Sequence, residues 1–275
     1  MNTLFEILPE TVDAAKCLLV CEVNNEGFSY AIKDEEQNLY IALAVYEFEK
    51  GSDREPQSDS LQEMVANQQL LSGPFKKVCV MYSYSESVLI PFTLYSSLEN
   101  ENVLNLLHGD LAKNVVIFTD LVVEGGVYNV YRVPGEIHKV INSKFPLAEH
   151  THQYSILLRH PQPVEDKLSV TFYQNHILLR LIKNGRTELI NTFCFNTSED
   201  VSYILLNSCK QYEVSKAAVE ISGLIEKDSN LYKEIYKYFD SINFAGLPKQ
   251  NNYSEKITEQ PAHYFSHIFA IDSCE

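Results

Sequence analysis

Two stretches of this chain obey one grammar, and that repetition limits the fold more than any other feature. LLVCEVNNEGFSYAIKDEEQNLYIALAVYEF (Leu18 to Phe48) and LSVTFYQNHILLRLIKNGRTELINTFCF (Leu168 to Phe195) each hold three apolar, β-branched and aromatic runs. The breaks are Asn24-Asn25-Glu26-Gly27 and Asp34-Glu35-Glu36-Gln37 in the first, and Gln174-Asn175 and Lys183-Asn184-Gly185 in the second. Such residues make turns because Gly and Asn tolerate left-handed backbone and Asn and Asp bond their own main chain. Each stretch predicts a three-stranded antiparallel meander.

The segments C-terminal to the two meanders match as well. Ser60-Leu61-Gln62-Glu63 has the form of a capping box, and Thr197-Ser198-Glu199-Asp200 precedes Val201, Ile204, Leu205, Cys209 and Tyr212 at helical spacing. KKVCVMYS at 76–83 and AAVEIS at 217–222 then predict short buried strands. Helices at about 135–144 and about 229–240 lead to HQYSILLRH and HYFSHIFAID in the position of closing strands. The expected unit is meander, helix, strand, helix, strand, used twice in an α/β protein with mixed sheets. Its lobes are 1–160 and 161–275, divided near His160-Pro161-Gln162-Pro163. The first lobe is longer by an insert at about 86–134, with a helix near Leu98 to Leu107 and a hairpin around Glu124-Gly125-Gly126. Pro248 to Pro261 reads as a mobile loop.

Charge and composition narrow the function. A formal charge of -15 opposes phosphate backbones and anionic lipid heads, so neither nucleic acid nor membrane insertion is expected. The start MNTLFEILPETVDAAK lacks a basic, then apolar, signal pattern, and no apolar run approaches the roughly 20 residues of a spanning helix. A cytoplasmic protein is expected. The six cysteines show no C-x-x-C, and five read as reduced core residues; Cys17 and Cys21 share a strand face and are expected to be buried without a disulfide.

The duplicated meander with alternating helices and strands resembles the actin, heat-shock chaperone and sugar kinase superfamily. More narrowly, ESVLIPFTLYSSLENENVL and VYRVPGEIHKVI, with the repeat, are similar to an uncharacterised bacterial family of actin-like ATPase (ribonuclease H-like) fold, a domain of unknown function. The resemblance implies two lobes that clasp ATP, with Asp-x-Gly hairpins for phosphate, carboxylates for Mg²⁺ and a Gly-Gly turn for adenosine. Here the first hairpin offers only Glu22, Asn25 and Gly27, and the second, Thr171 to His176, has neither acid nor glycine. At the adenosine turn Gly223 is followed by Leu224, whose branched side chain would crowd a purine. Ten glycines in the chain, against a usual share of about 7%, and no P-loop pattern point the same way.

Other chemistries lack their residues. His263 and His267 have ligand spacing on one face without the Glu of H-E-x-x-H, so no metal site is assigned, and His150 and His152 read as surface or capping residues. No G-x-S-x-G elbow is present. Tyr232, Tyr236 and Tyr238 cannot all share the buried face of one helix with Leu231, Ile235 and Phe239, so some are expected at the surface, where tyrosines favour interfaces. The expectation is a non-catalytic actin-like protein with a degenerate nucleotide site, no cofactor and an unknown protein partner. The alternative is a divergent ATP-binding protein or small-molecule kinase using ATP and Mg through Glu22, Asn25, Gly27 and Gly223.

Overall fold

The computed structural model describes residues 1–49, 57–110, 114–160 and 163–273; Pro161 and Gln162, named above, and the sixth cysteine, Cys274, lie outside the described residues. The chain divides into two units. One comprises Met1–Arg159, Lys249–Glu259 and Ile271–Glu275, the other His160–Pro248 and Gln260–Ala270.

The first unit opens with β1 (Asn2–Ile7), then the meander β2 (Cys17–Val23), β3 (Gly27–Asp34) and β4 (Leu39–Glu47), and helix α1 (Gln57–Asn67). β2 is buried along its whole length, as a run without alternation requires when both sheet faces are covered. Strand β5 (Lys77–Tyr82) returns parallel to β2. The chain then forms β6 (Ser87–Pro91), α2 (Asn100–His108), β7 (Val115–Val122) and β8 (Val127–Pro134), a separate sheet of order β6-β8-β7 with Ile90, Leu104 and Val130 at its centre. Helix α3 (Gly135–Lys144), strand β9 (Glu149–His152) and helix α4 (Gln153–Arg159) complete the segment. Leu61 and Val65 of α1 and Ile137 and Ile141 of α3 share one core with Leu19, Cys21, Tyr30 and Ala44 of the sheet.

In the second unit the meander is β10 (Lys167–Phe172), β11 (His176–Lys183) and β12 (Arg186–Cys194), followed by α5 (Ser198–Gln211), β13 (Ala218–Gly223), α6 (Asn230–Tyr236) and β14 (Ile242–Phe244). Asn184 and Gly185 both have positive φ, 52° and 73°, the two-residue hairpin turn that Asn-Gly favours. Thr197 caps α5 reciprocally with Asp200. Val201 and Leu205 of α5 and Ile235 of α6 pack on Val170, Leu179 and Ile221. The chain ends through β15 (Asn252–Tyr253), α7 (Glu255–Thr258) and α8 (Ala262–Phe269).

The two main sheets run β4-β3-β2-β5-β9 and β12-β11-β10-β13-β14, with β1 added beyond β4 in the first. Both have two antiparallel pairings followed by two parallel ones. This is the α/β meander-and-crossover order expected from the repeat.

Several local expectations fail for identifiable reasons. HQYSILLRH is not a strand: β9 stops at His152 and the apolar residues behind it coil into α4, where Tyr154, Ile156 and Leu158 are all buried. An apolar run buried on every side has no period to separate helix from strand. HYFSHIFAID likewise starts α8, and the closing strand is the short Ile242–Phe244. Ser60 is inside α1 and caps nothing, because that helix begins at Gln57. Pro248 to Pro261, expected to be a mobile loop, contains β15, which adds parallel to β4, and α7. Cys194 is exposed, contrary to its core assignment, because it ends a rim strand; Cys17 and Cys21 are buried free thiols.

Candidate functional site

The turn between β2 and β3 is where the first phosphate hairpin would lie. Asn24 is buried there, and its side-chain Oδ1 accepts the backbone N–H of Glu26 at 2.8 Å and of Gly27 at 2.9 Å. Two amides of this turn thus bond the chain's own side chain. Asn25 is exposed, and its carbonyl accepts from Gln57 Nε2 at 3.2 Å. Gly27 is dictated by packing: a Cβ there would stand 1.9 Å from the Tyr46 carbonyl oxygen. Glu22 is buried at the end of β2 and accepts the Ser83 hydroxyl at 2.8 Å.

The second unit repeats the backbone of this corner with different side chains. Asn24 N–H donates to the Gly27 carbonyl in the first turn, and Tyr173 N–H donates to that of His176 in the second. Phe48 N–H reaches Glu26, and Phe195 N–H reaches Asn175. By sheet register Glu22 corresponds to Thr171 and Met81 to Ser222; the hydroxyls of Thr171 and Ser222 lie 2.9 Å apart. The rings of Tyr173 and His176 stack at 4.5 Å between centroids, and His267 of α8 meets Tyr173 edge-on at 5.6 Å. Gly223 has φ +81°, and a Cβ on it would lie 2.1 Å from the Phe172 carbonyl oxygen. Leu224, half exposed, comes directly after it and donates its N–H to that same oxygen. Each expected residue is therefore at a strand end of its own unit, Glu22, Asn25 and Gly27 in the first and Gly223 in the second.

The comparisons place this geometry in a family. A family model described as "Protein of unknown function (DUF3822)" matches residues 9–242. The chain belongs to that family. The crystal structure of a Bacteroides thetaiotaomicron protein with actin-like ATPase fold and unknown function is 17% identical, with a TM-score of 0.79 over 96% of this chain and all of that one. PilM, from the PilM-PilN type IV pilus biogenesis complex, is 9% identical at a TM-score of 0.59, over 92% of this chain and 97% of that one. No curated protein matches. The DUF3822 chain thus has the actin-like ATPase fold.

A second polar constellation in this DUF3822 chain escaped the sequence reading. Asp120 of β7 is buried and accepts Tyr131 Oη at 3.1 Å, Thr151 Oγ1 at 3.0 Å and His152 N–H at 2.8 Å. The one acid inside VVIFTDLV was the available signal. His152 is wholly buried, correcting its surface assignment, and it does cap: Nδ1 accepts the Tyr154 N–H at the start of α4 while Nε2 donates to the Tyr84 carbonyl at 2.8 Å. Burial holds its pKa down at about 4, and that of His150 likewise. His138, also lowered by desolvation, has Nδ1 2.9 Å from the Tyr82 hydroxyl.

His263 and His267 share α8, and His263 Nε2 pairs with the Ile225 carbonyl at 2.8 Å. Among the described residues no group of three or more His, Cys, Asp or Glu is placed to hold a metal ion, and no helix is long and apolar enough to cross a membrane. Tyr236, the last residue of α6, is exposed while Tyr232 is half-buried; Tyr238, expected on the same helix, lies beyond its end, is exposed too, and lines a cleft of about 560 Å³ with Leu206, Lys210, Lys216 and Phe239.

Proposed function

We propose that this chain is a non-catalytic actin-like protein of the cytoplasm that acts by binding another protein, its two lobes descended from one duplicated unit and its nucleotide turns kept as structural corners. The observation that carries this is Asn24 Oδ1 holding both amides of the first turn. The stacked Tyr173 and His176 in the equivalent turn, and Leu224 behind Gly223, favour the same reading. The two glycines need no nucleotide to account for them, since backbone oxygens fill the space a Cβ would take. Protein binding has a precedent in the fold, because PilM is solved with PilN. Exposed Tyr203, Tyr236 and Tyr238 supply the aromatic surface that interfaces use.

The test is the melting temperature of the full chain with and without Mg-ATP. No change is expected. Saturating ligand at a hundred times its Kd stabilises by about 2.7 kcal/mol, so a real site would raise the midpoint by several degrees. Such a rise would reject the proposal in favour of a nucleotide binder built on Glu22, whose buried carboxylate at a strand end is the feature that suits it best.

A further inference from the structure

The cleft beside Tyr238 is built by the second unit alone, at the end of its sheet away from the nucleotide corner: Ala218, which starts β13, lines it, whereas Gly223 ends that strand. Helix α5 supplies Leu206, Cys209 and Lys210 from its last two turns. The loop into β13 adds Val214 and Lys216, and the chain leaving α6 adds Tyr238, Phe239 and Asp240. Cys209, Val214 and Phe239 are buried and form the apolar part of the lining. Leu206 and Tyr238 are 38% and 52% exposed, large apolar surfaces that gain from being covered.

Both signs of charge line the same cleft without neutralising each other. Lys210 and Lys216 are exposed, as are Glu165 and Asp240, and among the described residues none of these four makes an ion pair or a side-chain hydrogen bond. Asp166 also lines the cleft, but its carboxylate accepts the Asn184 N–H at 3.0 Å and is already held. An anion here would meet two lysines together with two unpaired carboxylates, and a cation the reverse. A ligand with one charge of each sign is attracted by both sets. The volume sets its length: about 560 Å³ corresponds to an edge of about 8 Å, the span of two to three extended residues at ~3.5 Å each. It also falls within the range of about 300 to 1,000 Å³ that small-ligand sites occupy. We propose that this cleft binds a short peptide of two or three residues with free termini and apolar side chains. Its carboxylate lies towards Lys210 and Lys216, its ammonium towards Glu165 and Asp240, and its side chains cover Leu206, Val214 and Tyr238.

This goes beyond the protein-binding reading and does not rest on it. Isothermal titration calorimetry of the full chain with leucyl-leucine, leucyl-phenylalanine and trileucine, each up to about 10 mM, should give a Kd of about 1 mM or tighter for at least one of them. The N-acetylated and the C-amidated forms of the peptide that binds should each be weaker by about threefold, since each lacks one terminal charge. Replacing both lysines, Lys210→Ala with Lys216→Ala, should weaken the free peptide by a similar factor, and Asp240→Ala by about twofold. Circular dichroism should be unchanged, because these side chains are exposed. Leu206→Glu sets a carboxylate among the apolar contacts and should abolish binding. No binding by any of the three peptides overturns the proposal. So does equal affinity of the capped forms, or binding that the cleft variants leave unaltered.

Discussion

A Cβ on Gly223 would lie 2.1 Å from the carbonyl oxygen of Phe172, closer than any side chain can come to that backbone. The glycine's φ of +81° adds strain for every other residue. Gly223→Ala should therefore lower stability by at least about 2 kcal/mol in urea unfolding. Asn25→Ala, at an exposed position, should stay within about 0.5 kcal/mol. Equal effects would show that the corner is not set by this contact.

Acid should unfold the first unit early. His152 is neutral and buried with a pKa near 4, against an ordinary value near 6.5 in the unfolded chain. Between these values the unfolded state binds the extra proton, so stability is full above about pH 6.5 and falls as pH drops towards 4. For His152 the loss is on the order of 3 kcal/mol, with His150 acting in the same direction. His152→Gln should flatten the melting temperature between pH 6.5 and 4; an unchanged slope would contradict the assignment.

Asp120 ties Tyr131, Thr151 and His152 from β8 and β9 to β7. Asp120→Ala orphans all of these donors, at about 1 to 3 kcal/mol for each one left buried without a partner. The variant should melt well below the wild type, and Asp120→Asn, which keeps an acceptor, should lie between them.

Thr197 caps α5 from its side chain while Asp200 returns the bond to the Thr197 N–H at 2.9 Å. Thr197→Ala should cost about 1 kcal/mol. Thr197→Ser should be close to neutral by the same denaturation measurement.

The site was half legible in the sequence. The turn Asn24 to Gly27 was visible, yet the role of Asn24 was not, because an Asn before Gly serves equally as a turn former and as the acceptor for the turn's amides. Asp120 and His152 were missed because strand periodicity says which face a residue takes and nothing about which donors from distant strands converge on it. Misassigned α4 has the same origin: with Gln153 to Ile156 buried all round, burial erased the periodic signal that marks a helix.

Composition and the repeated meander were enough to indicate the α/β class, the two three-stranded meanders and the scarcity of glycine turns, since these arise from local pattern and the alternation of polar and apolar positions. Only the tertiary structure named the contacts that hold Gly27 and Gly223, because the close approach to Tyr46 and Phe172 exists only once neighbouring strands are hydrogen-bonded side by side. It likewise left β4 covered by β1, while among the described residues no strand pairs with the outer side of β12, a difference made by where the N-terminal segment lands and invisible in two strands that read alike.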